Sequence, residues 1–450
     1  MRITRRIGYR PVVALMLALL LGHPARAALN STETVRGRAP TVSDVAIVAT
    51  TGNPMEGDTL QSGGSARFAD VDGDSEFNSL KQWYRSGGTT PVASGTSYRL
   101  TAGDAGHTLQ FGYTPATDPS ITDPAVGMEV RSTASAVVQG LPVASSTFTA
   151  SKASVIADNS DSTVLTLTLK DSGNRPVTGI ETRLSLVASV VSGFSGGPPA
   201  LPRPAETAPG SGIYTVSVKS GRVGTINVTP KLNAGALSVT PSSQQITFVP
   251  GVTEVSPVIN AFSFGSSSGF PQTGFATARF RVRLSDDNPE AYQWAVNGSN
   301  NGTGYTSVDT TGGVTLNTAR SGPQVIQVKD KISGTVLASY TFTLNGWFTN
   351  NGMTTMKWAN VNTYCSTRGG LPTVAQLSNG TLGVRGTRSV GNLWGEWGAM
   401  GSQGSGFISF LHWTSDADGG GRHYNVNLSN GHVERSFDSN TFYVVCRQGL

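Results

Sequence analysis

The sequence predicts an all-β chain built as a row of small sandwiches. Three observations carry this. Only 14% of the 450 residues are charged, and glycine alone supplies 55 of them. Short runs alternating apolar and polar residues recur, separated by Gly, Pro, Asn and Asp turns, which is the patterning of half-buried strands. Runs of strong helix formers at a spacing of 3.6 are scarce beyond the first 30 residues. A chain of about 420 residues after its leader has room for three or four domains of about 100.

The leader comes first. Arg2, Arg5, Arg6 and Arg10 flank an apolar run, Val12–Leu21, and Ala25-Arg-Ala27 follows as a small-x-small cleavage site. That combination predicts a secretory signal peptide over residues 1–27. The full chain has 33 Lys+Arg against 28 Asp+Glu, but the leader holds five arginines, counting Arg26, and no acid. The mature chain therefore carries 33 − 5 = 28 basic residues against 28 acidic ones and is formally neutral. Nucleic-acid binding needs clustered positive charge, so none is expected. No apolar run of about 18 residues follows the leader, and no lipidation cysteine or long series of alternating strands predicts direct membrane insertion.

The only two cysteines are Cys365 and Cys446. In an exported chain such a pair predicts one disulfide, with free thiols or metal ligation as the alternatives. The loop it closes is worth roughly 4–5 kcal/mol in the chain-entropy account.

In chain order, residues 28–40 are a polar lead-in. The first domain, residues 41–135, centres on Gly57-Asp-Thr-Leu60, Phe68–Glu76, Lys81-Gln-Trp-Tyr-Arg85 and Leu109–Pro115. Its single strand tryptophan, Trp83, suits the centre of a sandwich. The order of these motifs resembles an Ig-like repeat of bacterial surface and exported proteins. Asp70, Asp72, Asp74 and Glu76 alternate like oxygen ligands for calcium. The same residues are also expected in a solvated turn. Residues 136–145 read as a linker.

The second domain, residues 146–250, contains the alternating run Val164–Leu169, then a Ser172-Gly-Asn turn, Gly212–Val218 and Gly224–Thr229. This ordering resembles the group 1 bacterial Ig-like domain of the intimin/invasin family. A third Ig-like domain, residues 251–345, has alternating Phe280–Leu284, an acidic turn at Asp286–Glu290, and Trp294 as its expected core residue. Val325–Val328 and Tyr340–Leu344 are its late strands.

The last unit, residues 346–450, holds five of the seven tryptophans: Trp347, Trp358, Trp394, Trp397 and Trp413. One tryptophan each serves the sandwiches that have one, so the surplus suggests aromatics that face outward at a polar rim, with burial in a core as the alternative. A short helix is expected from Trp358 to Cys365, capped by Thr354 or Thr355. Gly406–Trp413 reads as a strand. His423–Leu428, an Asn430-Gly431 turn and His432-Val433 read as a hairpin, followed by a closing strand at Thr441–Cys446.

Trp358…Tyr364-Cys365, Gly369–Thr373, Leu411–Ser415 and Val444-Val-Cys-Arg447 resemble the C-terminal adhesion domain of intimin- and invasin-like proteins. The resemblance implies a C-type-lectin-like α+β fold with an equivalent disulfide, presented by Ig-like domains and binding a receptor. It implies a virulence-associated adhesin of a Gram-negative bacterium, secreted or held at the cell surface. The partner would be a protein on a host or bacterial surface. Such proteins usually carry a membrane β-barrel; this sequence shows none, so its relatives would be passengers exported through a separate outer-membrane barrel. A passenger of that kind could instead bind its exporter or a sister secreted protein. Ser366-Thr-Arg-Gly-Gly370 lacks the acid that integrin-binding members have after the first cysteine. The Glu-Pro-Asn and Trp-Asn-Asp triplets of calcium-dependent lectins are also missing, though a sugar ligand stays an alternative.

The expected contact residues are Trp394, Glu396, Trp397, His412, Trp413, Asp416, Asp418, Arg422 and His423. His412, His423 and His432 with Asp416 and Asp418 are also the residue types of a zinc or acid–base site. No His-Glu-x-x-His helix or nucleophile elbow accompanies them. The expectation is a binding protein, with no cofactor and no enzymatic activity.

Overall fold

A computed structural model describes residues 37–50, 52–194 and 196–450. The expected signal peptide lies outside them. Among the described residues no helix is long and apolar enough to cross a membrane. The described residues form two compact units: one comprises residues 37–48 with Gln61–Tyr98 and Gln110–Ala134, the other Ala49–Leu60, Arg99–Leu109 and Ser135–Leu450.

In the first unit the strand Leu80–Arg85 lies between Ala93–Ser94 and Leu109–Thr114, with Val130–Arg131 at the far edge. Trp83 is fully buried, as its place in an alternating strand predicts. Its ring lies 5.2 Å from that of Phe111, and its Nε1 donates to the Gly95 carbonyl at 3.1 Å. Thr41–Ser43 and Arg67–Ala69 form a separate antiparallel pair.

The carboxylates expected to hold calcium are not gathered into a ligand set. Asp70 accepts from the backbone N–H groups of Asp72 and Asp74. Asp72 accepts from Arg38 N, and Asp74 from the Thr122 hydroxyl at 3.1 Å. Glu76 takes the Tyr113 hydroxyl, with Lys81 Nζ at 3.7 Å. Each acid satisfies a separate donor, and among the described residues no group of three potential ligands converges on a metal position. The turn chemistry of aspartate accounts for the pattern.

The second unit holds two further sandwiches and the terminal α+β unit. In the sandwich around Thr163–Thr168, Leu165 and Leu167 point into a core with Phe148, Tyr214 and Phe248. Tyr214 satisfies its buried hydroxyl on the Val177 carbonyl at 2.9 Å. In the next sandwich Ala278–Leu284 alternates without a break: Phe280, Val282 and Leu284 are buried, while Arg279, Arg281 and Arg283 are exposed. Trp294 is buried as expected, and its Nε1 finds the Pro289 carbonyl at 2.9 Å.

The terminal unit contains the helix Trp358–Ser366, two one-turn helices at Val374–Leu377 and Leu393–Trp397, and a sheet of Leu411–Ala417, Arg422–Asn427 and His432–Phe437. Cys365 and Cys446 form the expected disulfide. It joins the first helix to the closing strand Val445–Gly449. The cap of that helix is Lys357, with no side-chain bond, rather than Thr354 or Thr355. Gly406–Phe410, expected within a strand, precedes the one that begins at Leu411. Val445–Gly449 pairs antiparallel with Gly346–Asn350, which itself pairs with Thr273–Gly274 of the third sandwich.

The third sandwich and the terminal unit share a single hydrophobic core. Trp397 inserts between Phe270 and Phe275, with ring centroids 5.3 and 5.2 Å away, and Phe275 also meets Phe407. The Trp397 indole N–H donates to the Thr273 hydroxyl at 3.0 Å. Beside it, Glu396 is fully buried. Its Oε1 accepts from Gln272 N at 2.8 Å and Gly391 N at 2.9 Å; its Oε2 accepts from Thr273 N at 2.8 Å and from the Thr273 hydroxyl. Burial pushes the carboxyl up, these donors pull it back, and the balance stands at about 7. Deleting a buried Trp costs about 3–5 kcal/mol. Packing around Trp397 therefore matches or exceeds the cost of keeping Glu396 charged at neutral pH.

Glu396 also sets a pH dependence. Its folded value lies above the ordinary 4.5, so the folded state holds the proton more tightly. The contribution is fully present below about 4.5 and is lost as pH rises through about 7, a span of roughly 3 kcal/mol. In chemical denaturation at pH 5 and pH 8, the stability difference between wild type and Glu396→Gln is expected to change by about that amount. A pH-independent difference would contradict it.

Candidate binding surface of the terminal unit

The surface is built on a hairpin whose register the turns fix. Gly419, Gly420 and Gly421 all have positive φ, of 82°, 62° and 70°, in the tight connection between the first two strands. At the other end Gly431 has φ 68°, and a Cβ there would lie 2.5 Å from the Trp394 ring. With that turn set, Arg422 pairs across the strands with Phe437, His423 with Ser436 and Tyr424 with Arg435.

Asp418 gathers this face. Its carboxylate accepts from the Tyr424 hydroxyl at 3.0 Å and pairs with Arg435 at 3.3 Å and Arg422 at 3.4 Å. Partial desolvation raises its pKa, but the Tyr424 hydroxyl and the two guanidinium groups outweigh it and hold the carboxyl below its usual range. The Arg422 guanidinium also lies 5.6 Å from the ring of Phe437, which is 58% exposed. The His423 ring stacks on Trp358 with centroids 3.7 Å apart and planes within 13°. His423 Nδ1 contacts Asp438 at 2.8 Å, and Trp358 Nε1 donates to the Thr414 carbonyl at 2.9 Å. The result is an aromatic and ionic face on a sheet, its side chains held by one another.

Four of the nine expected contact residues, Asp416, Asp418, Arg422 and His423, are partly exposed. Asp416 caps the short helix Val374–Leu377 by accepting from Val374 N at 2.6 Å. The other five are buried. Glu396 and Trp397 sit in the shared core. Trp394 packs over Gly431. Trp413 lies against the disulfide in a small cluster with Val361 and Val444, and its Nε1 donates to the Met356 carbonyl at 3.0 Å. His412 donates from Nδ1 to the Phe410 carbonyl at 3.0 Å, and burial pushes its pKa down to about 4, so it is neutral at physiological pH.

The histidines do not assemble: His423 contacts Asp438, His432 lies 3.3 Å from Glu434, and His412 is enclosed. Trp358, Tyr424, Arg435, Phe437 and Asp438 were not among the expected contact residues. The observed connection is four residues long, with Asn427 opposite His432; counting outward from a two-residue Asn430-Gly431 turn would have set Tyr424 opposite Phe437 instead.

A family model described as invasin, domain 3, matches residues 142–251, and one described as invasin, domain 4, matches residues 253–344. Invasin of Yersinia enterocolitica is 28% identical over 208 residues, covering 46% of this chain and 23% of that protein. The chain thus spans less than a quarter of that curated relative's length. Among solved structures, invasin, described as a bacterial integrin-binding protein, matches 92% of this chain and 81% of its own, with 21% identity and a TM-score of 0.41. A C-terminal 282-residue fragment of intimin, solved with the intimin-binding domain of the translocated intimin receptor, matches 68% of this chain and 100% of its own, with 17% identity and a TM-score of 0.36.

The hairpin geometry yields a test. Gly431→Ala places a Cβ against Trp394 at a left-handed position, and is expected to cost about 1–3 kcal/mol. Thermal melting of the whole chain reads this; an unchanged melting temperature would mean the turn does not set the register.

Proposed function

We propose that this chain, whose residues 142–251 and 253–344 match the models of invasin domains 3 and 4, is an invasin-like adhesin that is exported and binds a protein receptor through its terminal unit, residues 346–450. The observation that supports this best is the face around Asp418. An exposed phenylalanine, a stacked Trp–His pair and two arginines share it, and protein interfaces use such aromatic anchors within a polar rim. The side chains are tied down before any partner arrives, which lowers the entropic cost of ordering them on binding. Of the contact residues expected from sequence, Asp418, Arg422 and His423 take part; Asp416 supports the adjoining loop.

Binding of the full mature chain to cultured host cells, measured by flow cytometry, tests the surface. Phe437→Ala combined with Arg422→Glu is expected to weaken binding at least tenfold, the effect of roughly 1.4 kcal/mol or more. Arg385→Glu, an exposed change in a loop of the same unit, is expected to leave it unchanged. Wild-type binding by the double variant, with an unchanged melting curve, would remove this face as the receptor site. Binding confined to bacterial cells would place the partner on the producing organism.

A further inference from the structure

The first unit contains a cleft that adhesion by the terminal unit does not use. Its volume is about 260 Å³, and Phe68, Phe111, Glu76, Lys81 and Tyr113 contribute to its wall. Thr41–Ser43 and Arg67–Ala69 have only three residues each, against six in Leu80–Arg85 and in Leu109–Thr114. Phe111 and Tyr113 lie two residues apart on the last of these, so they share one face.

At that face the wall turns polar. Phe111 is an ordinary core ring, packed at a tilt against Trp83. A phenylalanine at position 113 would pack as well, yet a tyrosine stands there and donates its hydroxyl to Glu76. Lys81 Nζ lies 3.7 Å from the same carboxylate and 4.7 Å from the centre of the Tyr113 ring. Glu76 and Lys81 keep about a third of their side-chain surface exposed, 37% and 34%. A carboxylate has about four acceptor positions and an ammonium three donors, so both retain capacity beyond this triad.

The chemistry restricts what fits. Acid and base balance, which disfavours a net-charged ligand. One carboxylate beside an ammonium does not make a cation site, and one paired lysine does not make a phosphate site. What remains is a neutral molecule offering both donors and acceptors to Glu76 and Lys81, with C–H surface for Phe68, the part-exposed ring of the wall, Phe111 and Tyr113 being buried. We propose that this cleft binds a single neutral sugar ring, hydroxyls on Glu76 and Lys81 and its C–H surface against Phe68.

Saturation-transfer NMR on the full mature chain tests this with the methyl glycosides of glucose, galactose, mannose and N-acetylglucosamine at millimolar concentration. At least one is expected to give saturable transfer. Lys81→Met and Glu76→Gln, which keep the shape of the wall, should each weaken it roughly tenfold, as loss of a charged hydrogen bond does. Tyr113→Phe should weaken it less, and Arg422→Glu on the terminal unit should leave it unchanged. The proposal is overturned if none of the four sugars binds saturably. It is equally overturned if binding survives both Lys81→Met and Glu76→Gln, or is lost in Arg422→Glu.

Discussion

Trp397 and Glu396 hold the third sandwich and the terminal unit together, and much else follows from that joint. One residue supplies apolar packing between Phe270 and Phe275. The next supplies a carboxylate that collects three backbone N–H groups and one hydroxyl. The donors at Gln272 and Thr273 belong to the sandwich, the donor at Gly391 to the terminal unit. A buried acid bonded from both sides fixes their relative placement in a way that apolar contact alone does not. Arg388 adds to it by donating to the carbonyls of Gly395, Glu396 and Asn260.

This joint explains why the tryptophan count misleads. A sandwich with its own closed core needs one such ring, as Trp83 and Trp294 show. The terminal unit does not close its core alone, so it carries more. Trp397 completes the neighbour's core, Trp394 covers the hairpin turn and Trp413 packs on the disulfide. Excess aromatic residues at the end of a chain thus read equally well as a contact surface or as a seam between domains. The deciding contact, Trp397 to Thr273, spans 124 residues, and no local pattern reports it.

Other features were legible because their physics is local. Alternation over Phe280–Leu284 and Val164–Leu169 located the strands Ala278–Leu284 and Thr163–Thr168 to within two residues. Two cysteines behind an expected signal peptide predicted the disulfide. The Asn-Gly turn gave the hairpin. Misreadings arose where one residue type serves several ends. Asp70, Asp72 and Asp74 alternate in a way that suits either ligands or a solvated turn, and their carboxylates accept from Asp72 and Asp74 N, from Arg38 N and from the Thr122 hydroxyl. Threonines upstream of Trp358 looked like helix caps, but the chain enters that helix from a strand pairing of Met356–Lys357 with Thr441–Phe442. The face around Asp418 was only half visible, since its members meet across strands in a register set by a four-residue connection that the Asn430-Gly431 pair alone does not specify.

The pairing of Gly346–Asn350 with Val445–Gly449 sets the strand by which the chain enters the terminal unit beside the strand that carries Cys446. The disulfide then ties that last strand to the first helix. Tension arriving through residue 346 would meet five residue pairs side by side, backed by a covalent cross-link and a neighbouring strand of the preceding sandwich. Tethers that must hold under flow gain from such an arrangement, because separation requires many bonds to slide at once instead of opening one after another.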